Sequence, residues 1–220
     1  MGLVQNIKNK FRRDPILKRR IIGILAAHVI MGLAINLLRV SLFGNDPFSC
    51  MQLGFSKAFE MSYGTCVIIF NLIAIVPIFL IARRYIQIGT LINMFLIGPV
   101  VDGWYAVMLI VYPDFGYISF TARVACLILG VVICCYGASM YMVTNLGMGP
   151  YDAIGWIIED VSKKKIPFKY ARIGIDTIAT TTGFIFGSIV GVGTLTMALG
   201  TGPLITFFNE TINRPLIYGR

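Results

Sequence analysis

Charged side chains are scarce in this sequence. Only 13% of its 220 residues are Asp, Glu, Lys or Arg, whereas a soluble globular domain carries roughly 25%. So few charges cannot cover a water-facing surface, which excludes a soluble enzyme, a disordered tail and a secreted disulfide scaffold. Hydrophobic residues instead make up 57% of the chain, and the mean hydropathy is +0.80. A multi-span membrane protein is the class that remains.

Catalytic and metal-binding motifs are also missing. His28 is the single histidine, which excludes HExxH zinc chemistry and any site that needs two histidines. The chain has no GxSxG motif and no Walker motif. We therefore expect no enzyme activity, no metal and no cofactor. Buried apolar packing is the favoured role for the cysteines, with a Cys50–Cys66 disulfide as the alternative.

Six apolar runs are long enough to cross a bilayer, because a spanning helix needs about 20 mostly apolar residues. A short polar turn at 113–116 separates the first three runs from the last three. The last two are rich in Gly and Thr and are the least clear. The predicted spans are 21–42, 62–82, 88–112, 121–143, 171–189 and 191–210.

The basic residues predict the orientation of these spans. With a cytoplasmic N-terminus, 16 of the 19 basic residues fall on the inner side and three fall near the outer side. Such a split is typical of membrane proteins, whose cytoplasmic loops are richer in Lys and Arg than their outer loops. It favours six spans with both termini in the cytoplasm, and it explains the net charge of +9 without a nucleic-acid partner.

This layout divides the chain into five segments. They are a basic cytoplasmic N-terminal segment at 1–20, a first three-span repeat at 21–112, an external turn at 113–120, a second three-span repeat at 121–210 and a cytoplasmic tail at 211–220.

Two motifs recur at nearly the same spacing. Residues 89–99 and 193–203 share Gly, Thr, Leu, Gly and Pro at an offset of 104, and the turns 44–47 and 147–150 share Gly and Pro at an offset of 103. Because each half holds three spans, the second half enters from the opposite face. The pattern predicts an all-α polytopic membrane protein built as two inverted three-helix repeats, common in transporters and channels. Chance recurrence of Gly-Pro in a Gly-rich chain is the alternative.

A short amphipathic helix is predicted after the first span of each half. Gly149 and Pro150 open the second one, and Asp152 lies in its first turn, where a carboxylate can cap free N–H groups. Pro47 opens the first one, with Ser49 at the position that Asp152 takes in the second. They are either half-helices that dip into the membrane with their N-termini toward a substrate or interfacial helices that lie flat on it.

The run Leu-Gly-Met-Gly-Pro-Tyr-Asp at 146–152 resembles the LGxxPxD signature of the YczE/YitT-type bacterial membrane proteins. Arg172 with Asp176 and the Gly-Thr…Gly-Pro motif at 193–203 also resemble that family, and the similarity extends over about 20–210. The first half departs from it, since the residue two after its proline is not acidic. The resemblance implies a small multi-span protein of the bacterial plasma membrane.

Four polar residues within the predicted spans are candidates for a substrate or ion pathway, because ionisable groups in a bilayer are costly. Arg172 and Asp176 share one helical face at i,i+4, and Asn71 takes nearly the corresponding position in the first half. A shared cavity and a simple helix-end ion pair are the two interpretations. Asp102 either faces a cavity or makes an interhelical hydrogen bond.

A small-solute transporter or channel with its site at the repeat interface is the leading functional prediction. The alternatives are a membrane-embedded binding subunit of an energy-coupled importer and a scaffold or regulator that transports nothing. The expected partners are the lipid bilayer, anionic lipids beside the basic run at 163–165 and an unidentified small solute. A homodimer is left open.

Overall fold

The computed structural model describes residues 15–111 and 118–219, apart from the Pro15 and Leu199 side chains. The regular elements in these residues are helices, with a 3₁₀ turn at Arg83–Tyr85 and a π-helical turn at Asn209–Asn213. The α-helices are α1 (Pro15–Ser41), α2 (Pro47–Ala58), α3 (Tyr63–Ile81), α4 (Ile88–Val111), α5 (Phe120–Val143), α6 (Pro150–Val161), α7 (Phe168–Ile185), α8 (Val192–Phe208) and α9 (Arg214–Tyr218).

Four helices, α1, α3, α4 and α5, are long and apolar enough to cross a membrane. The other two predicted spans correspond to the helices α7 and α8, which do not meet this standard of length and apolar composition. Helix α7 carries Lys169, Arg172 and Asp176, and α8 has only 17 residues. The external turn predicted at 113–120 falls mostly outside the described residues, and so do 1–14 of the predicted N-terminal segment.

The first spans of the two halves, α1 and α5, pack against each other along their lengths. Glycines make this approach close: a Cβ atom added to Gly137 would lie 2.7 Å from Met31 Cγ, and one added to Gly130 would lie 2.8 Å from Leu38 Cγ. Small residues at such crossings let two helices in a membrane gain van der Waals contact. This pair forms the centre of the bundle.

Each short helix packs on a helix of the other half: α2 lies against α7, and α6 lies against α3. The α2–α7 crossing is especially close at Gly54 and Gly183. A Cβ atom on Gly54 would lie 2.7 Å from the Gly183 carbonyl oxygen, and one on Gly183 would lie 2.6 Å from the Cys50 carbonyl carbon. The two halves therefore interlock.

The loops that precede the short helices make a matching pair of contacts with the other half. The Gly89 N–H donates to the Leu146 carbonyl at 2.7 Å, and the Gly193 N–H donates to the Phe43 carbonyl at 2.8 Å. These are the positions that the repeat spacing of 103–104 relates. The backbone turns through Gly44 at φ 100° and Gly147 at φ 114°, a region where glycine carries no steric cost. Thr194 and Thr90 fill the space beside these two glycines.

The C-terminal ends of the short helices lie at different ends of the bundle. Lys57 near the end of α2 donates to the Gly187 carbonyl in the α7–α8 loop at 3.2 Å. Asp160 near the end of α6 accepts hydrogen bonds from Tyr85, at 2.7 Å, and from Arg84, both in the turn after α3. The Tyr85 hydrogen bond and the Arg84 guanidinium hold the pKa of Asp160 below its ordinary value of 3.8.

All five cysteines are free thiols, so the alternative Cys50–Cys66 disulfide is wrong. Both sulfurs lie in buried positions of different helices. They contribute to packing as small apolar side chains do.

Candidate functional site

The N-terminal turns of the two short helices meet. Phe48 is the second residue of α2 and Tyr151 is the second residue of α6, and their ring centroids lie 4.8 Å apart at a tilt of 44°. Phe70 of α3 closes the group, with its ring centroid 5.5 Å from that of Phe48. Such separations are typical of favourable aromatic pairs. The two helices thus direct their N-terminal, partly positive ends toward one place.

The two N-termini are capped differently. In α2 the Asp46 carboxylate accepts the Ser49 N–H at 3.0 Å, as an N-cap residue does. In α6 no side chain caps the helix, and the Gly149 N–H just before it donates to the Tyr141 hydroxyl. The prediction that Asp152 caps the free N–H groups of α6 is therefore wrong: its carboxylate reaches a stronger donor, a guanidinium on α7.

That guanidinium belongs to Arg172. Its Nη1 donates to Asp152 Oδ1 at 2.7 Å, and its Nε donates to Asp176 Oδ2 at 3.0 Å. The Tyr151 hydroxyl donates to the other oxygen of Asp176 at 2.6 Å, and the guanidinium carbon lies 4.9 Å from the Tyr151 ring centroid. Arg172 and Asp176 thus form the pair predicted from their i,i+4 spacing. Tyr151 joins this ionic cluster to the aromatic contact with Phe48.

Negative charge exceeds positive charge at this site. Two carboxylates, those of Asp152 and Asp176, pair with the single guanidinium of Arg172, and a third, that of Asp46, interacts with it electrostatically from the N-cap of α2. The two positive helix N-termini offset part of the excess. Solvent reaches the cluster unevenly: the side chain of Asp152 is 41% exposed, that of Arg172 33% and that of Asp176 19%.

Within the described residues, no hydrogen bond joins Ser49, Asp102 or Asn71 to Arg172, Asp152 or Asp176. Ser49 makes a hydrogen bond of 3.1 Å with the Tyr63 hydroxyl. Asp102 accepts the Gly64 N–H at 3.0 Å, so it makes the interhelical hydrogen bond that was one of its two predicted roles. Asn71 is 2% exposed on α3, and no hydrogen bond within the described residues joins it to Arg172 or Asp176.

Pro47 and Pro150 occupy the first turns of α2 and α6, as predicted. Sequence reasoning missed the two residues that follow them. Phe48 and Tyr151 are related by the same offset of 103 as the prolines. Two aromatic residues at equivalent places in an inverted repeat are candidates for contact across its axis, and this signal could have identified them.

Two open cavities lie away from this cluster. One, of about 570 Å³, lies between the start of α1 and the C-terminal segment and is lined by Asn209, Glu210 and Arg214 among others. The second, of about 420 Å³, lies beside Arg84 and Asp160. Within the described ranges, His, Cys, Asp and Glu side chains form no group of three that could hold a metal ion.

Four long apolar helices, together with shorter helices that carry a small ionic cluster, define a helical membrane protein. Residues 18–210 match the family described as "Family of unknown function (DUF6198)", and the chain belongs to this family. The predicted resemblance to YczE-type proteins is confirmed by this match and by a YczE relative.

Three curated relatives cover most of the chain. "Uncharacterized protein YyaS" of Bacillus subtilis (strain 168) is 29% identical over 195 residues, which are 88% of this chain and 92% of that protein. "Uncharacterized membrane protein YczE" of the same strain is 25% identical over 83% of this chain and 81% of its own. A Haemophilus influenzae protein is 24% identical over 87% of this chain and 84% of its own. No solved structure matches the chain.

Proposed function

We propose that this protein moves a small solute across the bacterial plasma membrane through a site where α2 and α6 meet. The contact between Phe48 and Tyr151 carries the proposal, because it brings the N-termini of two short helices together beside an ionic cluster. Discontinuous helices whose N-termini converge inside the membrane form the substrate sites of many transporters.

The architecture behind the proposal is six spans arranged as two inverted three-helix repeats, with α2 and α6 as half-helices within the membrane. The reciprocal hydrogen bonds from Gly89 to Leu146 and from Gly193 to Phe43 support it, since equivalent positions make equivalent contacts. The burial of α2 between α7 and α8 favours a half-helix over an interfacial one. Both termini are cytoplasmic in this proposal, and Lys163, Lys164 and Lys165 face anionic lipids.

Asp176 is the proposed coupling residue. It is the least exposed carboxylate of the Arg172 pairs, and its two oxygens accept from Tyr151 and Arg172. Protonation of this carboxylate weakens the attraction to Arg172 and frees Tyr151, the residue that contacts Phe48. Proton movement would thereby be linked to separation of the two helix N-termini.

Transport by the purified chain in liposomes tests the proposal. Gradients of glycerol, choline and lactate sample uncharged, cationic and anionic solutes, and an enclosed pH dye reports proton movement. The chain alone should speed the passage of at least one solute over protein-free liposomes. Asp176→Asn should fold and lose any solute-dependent proton movement, whereas Asp160→Asn, on the exposed pair with Arg84, should retain it. No acceleration of any solute contradicts the proposal and favours a binding subunit or a scaffold.

A further inference from the structure

Two buried amide side chains lie close in sequence to Phe48 and Phe70, whose rings are in contact. Gln52 lies one helical turn after Phe48 on α2 and is fully buried, and Asn71 follows Phe70 on α3 and is 2% exposed. Within the described part of the chain, both amide atoms of Gln52 and the Nδ2 of Asn71 make no hydrogen bond. Three unpaired polar atoms therefore lie close in sequence to one aromatic contact.

Other buried amides of this bundle are used to join backbone segments. Asn36 donates to the carbonyl of Val101 at 2.8 Å, and Asn45 donates to the carbonyl of Ile35 at 3.0 Å. Gln52 does neither. An unpaired buried amide loses its hydration without compensation, and a leucine of similar size would avoid that loss. Packing alone therefore gives no reason for an amide at this position.

We propose that Gln52 and Asn71 bind a small uncharged solute that carries both hydrogen-bond donors and acceptors, beside the Phe48–Phe70 contact. The inference rests on the proposed function and names the substrate class. An amide offers a donor and an acceptor but no charge, so it recognises a partner of the same kind. Arg172, the cation of the neighbouring cluster, is already engaged by two carboxylates. The rings of Phe48 and Phe70 supply apolar walls, as in other small-molecule sites.

Passage of acetamide and glycerol through liposomes that contain the full chain is the first test. Gln52→Leu and Asn71→Leu should each slow this passage by about ten-fold, the effect of removing one hydrogen-bonding partner. The matched control is Thr194→Val, since Thr194 is 3% exposed and its hydroxyl also makes no hydrogen bond within the described residues. It should leave passage unchanged. Gln52→Met repeats the test with a side chain of similar length, and thermal unfolding checks that each variant folds.

Unchanged passage in Gln52→Leu and Asn71→Leu overturns the inference and leaves the proposed function standing. A loss confined to osmotic water flow, with no passage of acetamide or glycerol, also overturns it, because the amides then serve water alone. If the unaltered chain moves choline or lactate but neither acetamide nor glycerol, the inference is overturned and the proposed function stands. If it moves none of these solutes, the proposed function fails and binding decides the inference. Saturation-transfer NMR of acetamide with the chain in nanodiscs should then give a signal that Gln52→Leu removes. No signal from the unaltered chain overturns the inference.

Discussion

The two carboxylates that share Arg172 are not equivalent. Asp176 is half as exposed as Asp152 and has a second donor, the Tyr151 hydroxyl. Each carboxylate can also substitute partly for the other, because Arg172 keeps one partner when the other is lost. Removal of either one therefore leaves no isolated buried charge, the situation in which losses are largest.

We expect Asp176→Asn to lower the free energy of unfolding by about 1–3 kcal/mol, the range for hydrogen bonds to charged groups. Asp152→Asn should cost less than about 1 kcal/mol, because solvent screens this more exposed pair. Denaturant unfolding in detergent measures both. If Asp176→Asn and Asp152→Asn lowered the free energy of unfolding equally, the Tyr151 hydrogen bond would contribute nothing to stability.

Tyr151→Phe separates the hydroxyl from the ring. The ring contact with Phe48 is kept, while the hydrogen bond to Asp176 is lost. We expect a loss of about 1 kcal/mol in unfolding free energy. A double-mutant cycle with Asp176→Asn should give a non-additive result, since Asp176→Asn removes the charge that strengthens the hydrogen bond lost in Tyr151→Phe. Additive losses would contradict a direct interaction.

The Asp160 contact should respond to acid. Its folded pKa lies below the ordinary 3.8 because of Tyr85 and Arg84. A depressed carboxylate pKa stabilises the fold above the unfolded pKa, and this contribution is lost as the pH falls through the folded pKa. The unaltered chain should therefore lose stability relative to Asp160→Asn only below about pH 4. Thermal unfolding of both chains from pH 7 to pH 3 measures this, and parallel curves throughout would contradict it.

At the scale of helices, the contact between α2 and α7 sets how closely the short helix approaches its partner. Gly183 faces the backbone of Cys50, with no room for a Cβ atom, whereas Gly174 on the same helix has no such neighbour within 4 Å. These two glycines of one helix therefore differ in whether there is room for a methyl group on the Cα atom.

Gly183→Ala should lower the unfolding free energy by about 1–3 kcal/mol, because a rigid backbone must move aside. Gly174→Ala should be neutral or stabilising by up to about 1 kcal/mol, because alanine favours the helix. Thermal unfolding of the two variants under one set of conditions compares them directly. A neutral Gly183→Ala would mean that α2 is loosely held.

The helices themselves follow largely from local sequence. Proline at the first helical position, a capping residue before it and a long apolar run predict α2, α3 and α6 to within a few residues. What local sequence could not predict is which partner a side chain chooses. Asp152 can reach either its own helix N-terminus or Arg172, and only the placement of α7 beside α6 favours the second. The Phe48–Tyr151 contact likewise depends on how the halves meet.

At the scale of the whole molecule, the proposed inverted repeat places the ends of the two short helices on opposite faces of the membrane. In the proposed orientation, Lys57 lies at the outer face with Gly187, and Asp160 lies at the inner face with Arg84. The side chains of Lys57 and Asp160 are both exposed at the surface of the bundle.

Cysteine labelling in intact cells tests this arrangement. In a chain without its native cysteines, Lys57→Cys should react with an impermeant reagent added outside, and Asp160→Cys should react only after the membrane is opened. Gly219→Cys, near the C-terminus, should behave like Asp160→Cys, and so should Gly2→Cys near the N-terminus. Reaction of Lys57→Cys and Asp160→Cys from the same face would contradict the inverted repeat.

The hydrogen bond from Gly89 to Leu146 constrains how the chain is made. Gly89 is synthesised first, and its hydrogen-bond partner Leu146 is synthesised only after the long helix α5. Helix α2 gains its main packing partner later still, because α7, which covers Gly54, is synthesised after Leu146. Until then only first-half helices such as α3 cover α2. In the proposed membrane position, the face around Gly54 would expose polar groups to lipid, a state that lipid does not tolerate. The first half should therefore remain near the membrane surface or in the insertion machinery, and assembly should be completed only as the second half emerges.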